Sequence, residues 1–501
     1  MTTQPFIAAQ TGLSRVFLIE GRARPGTTPT YESGMRAGSL SHGTGDTERI
    51  EIPSSRAYDQ FVEVGIVRGA QDRPSMPLEG RYALDLESKL YRLAKAGCPM
   101  DVQVHLGQCA NPSDFNEFTK AVILEGVYLT QYSTEDLGSL ASGDRAAINE
   151  TVDISAEVAY EVLPLSFSRE ADDITTTRIT DVVICDTPAC ADCGQTDGCR
   201  KIFALTIAAG GSVGTPADII FSLNKGASWA AHDIDTLGAT QTPSALDCVG
   251  DYLVVVANGD CALHYALLSE FDGVTDPTWT RVTTGFNAAG CPADISFADS
   301  KAYVVGNGGY IYELTDPVGG VTVLDAGNAT TDDFNAVHAP SDNFVVAVGN
   351  NGAIAVSENG TNFRRITPPV VAGVHFLSVW VKSEKVWLIG ANNGNLYHTL
   401  NGGKTWTTQS FPGSGSGNVY AIAFSTDSVG YMAHATSTPS GRILRTFDGG
   451  NSWVILPEGV GSLPAHASTR TLATCRYDPN FVVGGGVATG GVDGILLVGE
   501  D

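Results

Sequence analysis

One unit recurs through the second half of this chain, and it constrains the fold more than any other feature. Its first part is a β run that ends in a Gly/Asn turn. Copies are Tyr252-Leu-Val-Val-Val-Ala-Asn258, Tyr303-Val-Val-Gly-Asn-Gly-Gly309, Phe344-Val-Val-Ala-Val-Gly-Asn-Asn-Gly352 and Val386-Trp-Leu-Ile-Gly-Ala-Asn-Asn-Gly394, with a last copy at Phe481-Val-Val-Gly484. The Asn-Gly steps provide the positive φ that two-residue hairpins require. The second part is a strand and a compact turn that closes on an aromatic ring. Copies are Ser222-Leu-Asn224-Lys-Gly226-Ala-Ser228-Trp229, Thr399-Leu-Asn401-Gly-Gly403-Lys-Thr405-Trp406 and Thr446-Phe-Asp448-Gly-Gly450-Asn-Ser452-Trp453. Ser357-Glu-Asn359-Gly-Thr-Asn-Phe363 is a shortened one.

The spacing is regular: Gly306 to Gly349 is 43 residues and Gly349 to Gly390 is 41. A unit of roughly 40–45 residues holding four short strands has the spacing of a β-propeller. Units beginning near residues 201, 251, 300, 342, 384, 427 and 475 give seven blades, with six as the alternative count. The last unit lacks an outer strand after Leu497, and Ile179-Thr-Asp-Val-Val-Ile184 is the expected closing strand. The compact turns resemble the Asp box, S/T-x-D/N-x-G-x-S/T-W/F, of sialidase-like and photosystem-assembly-factor-like propellers. The residues that carry the resemblance are Ser222, Asn224, Gly226 and Trp229, then Thr399, Asn401, Gly403 and Trp406, then Thr446, Asp448, Gly450 and Trp453. In each, the Asn or Asp side chain is expected to hydrogen-bond the turn, Gly to take the left-handed position and Trp to pack between blades.

Composition narrows the function classes. With 30 basic against 55 acidic residues the net charge is −25, which argues against a surface that grips nucleic acid. Apolar residues make up 43% and charged residues 17%, a globular balance, and 501 residues suggest two to four domains. No apolar run approaches the length of a membrane span. The opening stretch, Met1-Thr-Thr-Gln-Pro-Phe-Ile-Ala-Ala-Gln10, has neither a basic n-region nor a long apolar core, so no secretory signal is expected and folding in a cytoplasm is.

Residues 1–175 read as a different object. Gly80–Gly97 has the pattern of an amphipathic helix, with Tyr82, Leu86, Leu90 and Leu93 on one face and Pro99 beyond its end. Alternating strands are expected at Gln60–Ile66, Met100–Leu106, Ala121–Leu129 and Ile154–Val162, the last continuing past a kink at Pro164 to Phe167. Loops are expected at 21–47 and 130–150. The overall expectation is a mainly β protein: a β-sandwich or part-barrel with one flanking helix, a Cys-rich linker at 176–200, and a propeller at 201–501.

The first part resembles the tail tube (major tail) proteins of tailed bacteriophages. The residues that carry this are Asn111-Pro-Ser-Asp-Phe115, Leu124-Glu-Gly-Val-Tyr-Leu-Thr-Gln-Tyr132 leading to Leu137-Gly-Ser-Leu-Ala-Ser-Gly-Asp144, and Ile148-Asn-Glu-Thr-Val-Asp-Ile-Ser-Ala156 running into Leu163-Pro-Leu-Ser-Phe167. The resemblance is one of layout over about 165 residues, and the large propeller departs from it. It implies hexameric rings stacked into a hollow tube, with partners in a tape-measure protein and in terminator and tip proteins. It also implies a loop, here 39–60, and an arm, Met1–Arg15, that contact neighbouring rings. An acidic bore would pass DNA without binding it, and Glu51, Glu63, Glu157 and Glu161 are the candidate lumen residues. Their alternative is ordinary solvent-facing positions. The location implied is the tail of a virion assembled in the host cytoplasm.

Catalysis is not expected, nor is any cofactor. A sialidase needs an arginine triad and a tyrosine nucleophile inside the ring, and Phe363-Arg-Arg-Ile366, the nearest string, is wrongly placed. Asp332-Asp333 as a glycosidase pair is set against a solvated loop. Gly484–Gly491 lacks the Lys-Ser/Thr ending of a phosphate loop and reads as a propeller turn. Arg22, Arg24 and Arg36 either pair with a neighbouring subunit or are solvated. His105 reads as a strand residue and not a ligand. Cys185, Cys190, Cys193 and Cys199 admit two local disulfides, free thiols or a four-sulfur metal site, with disulfides preferred over metal. Cys248 with Cys261, and Cys98 with Cys109, are further candidate pairs. The propeller would decorate the tube, binding host-surface glycans or stabilising its exterior. The alternatives are a tail-tip adhesin that uses the propeller, and a propeller-type assembly factor or glycosidase.

Overall fold

A computed structural model describes residues 15–19, 31–32, 36–37, 74–81, 100–106, 120–134, 149–163, 165–170, 178–185, 201–207, 218–237, 242–259, 261–315, 322–324, 330–370, 373–435, 441–456, 468–475, 478–487 and 494–500. The chain divides into two compact units, which meet between Pro164 and Leu165. The division falls before residue 175 because the segment after Pro164 pairs with the propeller. Among the described residues no helix is long and apolar enough to cross a membrane.

The first unit is an antiparallel sheet organised by one 15-residue strand, Lys120–Thr134. Its first half pairs with Met100–Leu106 on one side and Val158–Val162 on the other. Its second half pairs with Asn149–Ser155, which pairs in turn with Ser75–Arg81. The strand changes partners at a bulge, where Gly126 sits at φ 63° and Met100 faces Val127 while Val102 faces Leu124. Only glycine takes that backbone conformation without strain, and the bulge bends the strand. The Gly126 N–H donates to the carboxylate of Asp101, which is fully buried, at 3.0 Å. Val16, Met76, Leu78, Val102, Val104, Leu124, Val127 and Ile154 form the core on one face.

Several expectations change here. The segment 154–162 is two strands, broken at Ala156–Glu157 opposite the Gly126 bulge, because a straight strand cannot follow a bent partner. Gly80 and Arg81, expected in a helix, end strand Ser75–Arg81, and 82–97 lies outside the described residues. The expected loop at 21–47 contains short strands Tyr31–Glu32 and Arg36–Ala37. Strand 60–66, the segment 39–60, the arm 1–14 and residues 135–148 lie outside the described residues.

The second unit is a β-propeller of seven four-stranded antiparallel sheets. The inner strands of blades 1 to 7 are Arg178–Cys185, Thr242–Val249, Pro292–Phe297, Phe334–Ser341, Phe376–Val381, Asn418–Phe424 and Ser468–Cys475. Each contacts the inner strands of both neighbouring blades, which closes the ring. The valine-rich run of each repeat is the second strand. It is buried along its whole length at Ala302–Gly306, Phe344–Gly349, Trp387–Ala391 and Gly430–Ala435. These strands lie between two neighbouring sheets, so both faces are apolar and alternation disappears. Side chains of adjacent blades interdigitate, as Phe203 and Phe221 do with Leu246, Phe271 and Trp279 between blades 1 and 2. Ile389 and Trp387 do likewise with Val346 and Ile366 between blades 5 and 4.

The blades are one strand out of phase with the sequence units, which began at second strands. Ile179–Ile184 is therefore the inner strand of blade 1 and not a closing strand. Closure comes from Ser166–Glu170, which pairs with Gly494–Glu500 as the outer strand of blade 7. Phe167 is buried, and its ring presses on Gly499, where a Cβ would lie 2.6 Å from it.

This closure makes a prediction. Phe167→Ala should cost on the order of 3 kcal/mol, read as a lower urea midpoint for the propeller. A fragment 165–501 should melt several degrees above a fragment 176–501. Equal stability of the two fragments would exclude closure by this strand.

Candidate functional site

The Asp-box turns lie between the third and fourth strands of blades 1, 5 and 6. In blade 6 the Asp448 carboxylate accepts the Ser452 N–H at 2.8 Å and the Thr446 hydroxyl at 2.9 Å, while the Thr446 oxygen accepts the Gly450 N–H at 2.9 Å. Asn224 accepts Ser228 N–H and Asn401 accepts Thr405 N–H, at 2.9 and 2.8 Å. Gly226, Gly403 and Gly450 have φ of 92°, 80° and 91°. Trp229, Trp406 and Trp453 pack into the seams of blades 1 and 7, 5 and 4, and 6 and 5. The shortened copy does the same with Asn359, which accepts Thr361 N–H at 3.1 Å and Asn362 N–H at 2.9 Å. These turns fix blade edges.

The inner strands hold a feature that the sequence reading missed. All seven carry a register irregularity near their start: between Ile179 and Asp181, Pro243 and Ala245, Pro292 and Asp294, Phe334 and Ala336, Phe376 and Ser378, Val419 and Ala421, and Thr469 and Thr471. A bulge re-aims the residues beyond it, and here they link one blade to the next. Thr471 of blade 7 donates to Asp181 at 2.7 Å, and Asp181 accepts Leu246 N–H at 2.9 Å. Asp247 accepts Phe297 N–H at 2.6 Å and Asp294 accepts Val337 N–H at 2.8 Å. His338 Nδ1 accepts Val381 N–H at 3.3 Å, and Ser378 donates to the Val419 carbonyl at 3.3 Å. Blades 6 and 7 are joined instead by Tyr431, whose hydroxyl donates to Pro479 O at 2.9 Å, and by buried Arg445, which donates to Pro479 O and to Asn480. A signal existed in the sequence. Aspartates sit inside apolar runs at Ile179-Thr-Asp181-Val-Val, Ala245-Leu-Asp247-Cys-Val and Pro292-Ala-Asp294-Ile.

Burial raises these carboxyls, to about 6 at Asp181, about 7 at Asp247 and about 8 at Asp294. Neighbouring carboxylates raise Asp247 and Asp294 further, while their backbone hydrogen bonds pull the other way. Burial likewise pushes the His338 imidazole down to about 4. Near neutral pH these carboxyls are therefore partly protonated. What the ring offers is proton-linked structure.

The other candidate residues separate. Cys185 is bonded to Cys248, joining blade 1 to blade 2 with Cα atoms 5.7 Å apart, and is not part of a four-cysteine cluster. Cys261 pairs with Cys291 and not with Cys248. Both bonds link residues far apart in sequence, so local spacing pointed to the wrong partners. Cys190, Cys193, Cys199, Cys98 and Cys109 lie outside the described residues, as do Glu51 and Glu63. Glu157 and Glu161 are exposed, and Glu161 pairs with Lys120 at 2.6 Å. Asp332 and Asp333 act as turn acceptors: Asp332 accepts from Asn351 at 2.8 Å and Asp333 from Gly308 N–H at 2.8 Å. Gly484 to Val487 lie within a strand, not a turn. His105 is buried with Nε2 3.0 Å from Gln103.

The fold defines the second unit as a seven-bladed β-propeller. No family model and no curated protein matches the sequence. Among solved structures the chain is similar to YCF48 bound to D1 peptide, at 15% identity over 68% of this chain and 96% of that one, TM-score 0.49. It is similar to YCF48 from Cyanidioschyzon merolae, at 14% identity over 67% and 98%, TM-score 0.47. It is also similar to the WD40 β-propeller domain of Doa1, at 12% identity over 67% and 96%, TM-score 0.46.

Two predictions arise from this geometry. Asp181, Asp247 and Asp294 bind protons in the folded chain that an unfolded aspartate, near 3.8, has released. Their contribution is most favourable below 3.8 and is lost as pH rises toward about 8. In Asp247→Asn/Asp294→Asn the decline in melting temperature between about pH 5 and about pH 8 should flatten, and an unchanged slope would contradict the assignment. Second, Asp448→Ala should cost about 2 kcal/mol, because it strips a buried turn of its acceptor, and Asn224→Ala, at an exposed turn, should cost less. Chemical denaturation measures both.

Proposed function

We propose that this chain is a structural protein of a phage tail. Its first unit would build hexameric rings that stack into a DNA-conducting tube, and its propeller would be displayed outward to contact host-surface glycans. The observation that carries this reading is an exposed apolar side chain on a strand of the first unit. Val158 begins the strand Val158–Val162, which pairs with Ala121–Glu125 of the long strand. Val158 is 50% exposed, one of few large apolar side chains so placed. An exposed apolar residue on a strand is a contact for another chain, and closure into a multi-subunit barrel would bury it. The resemblance to tail tube proteins in residues 111–167 supports the same reading.

On this reading the work is mechanical and needs no cofactor or catalytic group. The tube orders a tape-measure protein, meets terminator and tip proteins, and passes DNA past acidic walls to which Glu157 and Glu161 would contribute. Many propellers along one tail turn weak single contacts into avidity.

Electron microscopy of the purified full chain tests the proposal. Rings or tubes are expected, and Val158→Lys should abolish them without lowering the melting temperature of the monomer. A monodisperse monomer at every concentration would exclude a tube role.

A further inference from the structure

A groove at the rim of the propeller separates blade 4 from blade 5. It has a volume of about 650 Å³ and is lined by Arg364 and Arg365 of the outer strand Phe363–Arg365, by Pro368 and Pro369, and by the Asp-box turn that contains Lys404 and Trp406. That volume suits a ligand of small-molecule size. Three cations border it in a chain whose net charge is −25. Arg364 pairs with Glu358 at 2.7 Å, and both side chains are more than half exposed. The Arg365 and Lys404 side chains are exposed and make no side-chain hydrogen bond or ion pair among the described residues, although Arg365 lies near enough to Asp332 to help hold that carboxyl down.

The other two full Asp-box seams are internal controls, because each is closed by the protein itself. At blade 1, Lys225 reaches across to Asp478 of blade 7 at 2.6 Å and lies over the Phe481 ring. At blade 6, the side chain of Gln409 from blade 5 donates to the carbonyls of Gly450 and Asn451. At blade 5 the facing strand offers Arg364 and Arg365 instead, and neither donates to the turn. The position occupied by Ala227 and Asn451 in the other copies is Lys404.

We infer that this groove binds a carboxylated saccharide segment, with Arg365 and Lys404 holding its carboxylates and the Trp406 and Pro368–Pro369 surfaces supporting the sugar rings. Guanidinium and ammonium groups make charge-assisted hydrogen bonds to carboxylates, and guanidinium does so through a planar fork. Aromatic and proline rings give flat apolar faces for sugar C–H groups. A peptide strand is the poorer occupant, since the outer strand has only three residues before Pro368 and Pro369 and offers too short an edge to extend. The inference rests on the outward glycan-contact role proposed above and adds its place and ligand class.

The test is calorimetric titration of the full chain with a short oligogalacturonate, beside a neutral malto-oligosaccharide and an oligoglutamate of equal length. Saturable binding of the galacturonate alone is expected, weakened by salt because the cations are exposed. Arg365→Ala/Lys404→Ala should reduce the affinity about tenfold or more, the loss of charge-assisted contacts. Lys225→Ala, at the closed seam, should leave it unchanged. Arg365→Ala/Lys404→Ala alters exposed side chains and should leave the melting temperature unchanged, while a single cooperative melt establishes that Lys225→Ala, which loses its bridge to Asp478, still folds. The inference is overturned if the galacturonate does not bind, if the double variant binds it equally, or if the neutral sugar or oligoglutamate binds as well. Galacturonate or host polysaccharide binding that ignores the double variant would remove this groove but leave the glycan role standing. Ring assembly seen by microscopy is independent of all these outcomes.

Discussion

Everything in the second unit depends on closing a ring of seven sheets. Each sheet is apolar on both faces and cannot stand without two neighbours. Closure is achieved twice. At the inner strands, a bulge in each blade re-aims polar side chains toward neighbouring blades, and Thr471, Asp181, Asp247, Asp294, His338 and Ser378 link the inner strands from blade 7 round to blade 6. At the rim, Ser166–Glu170 completes blade 7 from the opposite end of the chain. Cys185–Cys248 adds a covalent tie between blades 1 and 2.

Using aspartate as the inter-blade acceptor has an electrostatic consequence. A carboxylate accepts strongly from a backbone N–H, but burial raises the proton affinity of all three, and neighbouring carboxylates raise Asp247 and Asp294 further. The same groups that fix the angle between blades therefore make the ring sensitive to pH on the alkaline side. His338 responds in the opposite direction. Its folded-state value near 4 lies below the ordinary 6.5, so its contribution is lost as pH falls below that value. Between about pH 4 and 6.5 the two sets therefore oppose each other, with three aspartates set against one histidine.

Much of this was legible in the residues. The period of the Gly/Asn turns carries the blade architecture, and the spacing from Ser222 to Trp229, Thr399 to Trp406 and Thr446 to Trp453 carries the turn chemistry. What escaped were features set by long-range pairing. A valine run buried on both faces looks like the start of a unit, which shifted the blade phase by one strand. The closing strand lies more than three hundred residues from its partner, so no local pattern announces it. The cysteines follow the same logic, pairing 185 with 248 and 261 with 291 across the fold. The break at Ala156–Glu157 exists only because Gly126 bends the strand opposite. The rim groove depends on which of three similar turns lacks a partner, a comparison available only in three dimensions.

Amide hydrogen exchange over residues 166–170 and 495–500 tests the closure of the ring most directly. The account predicts protection comparable to that of the buried second strands, such as Phe344–Gly349, lost together with theirs on global unfolding. Exchange of 166–170 at the rate of an unstructured segment, while the other blades stay protected, would contradict it.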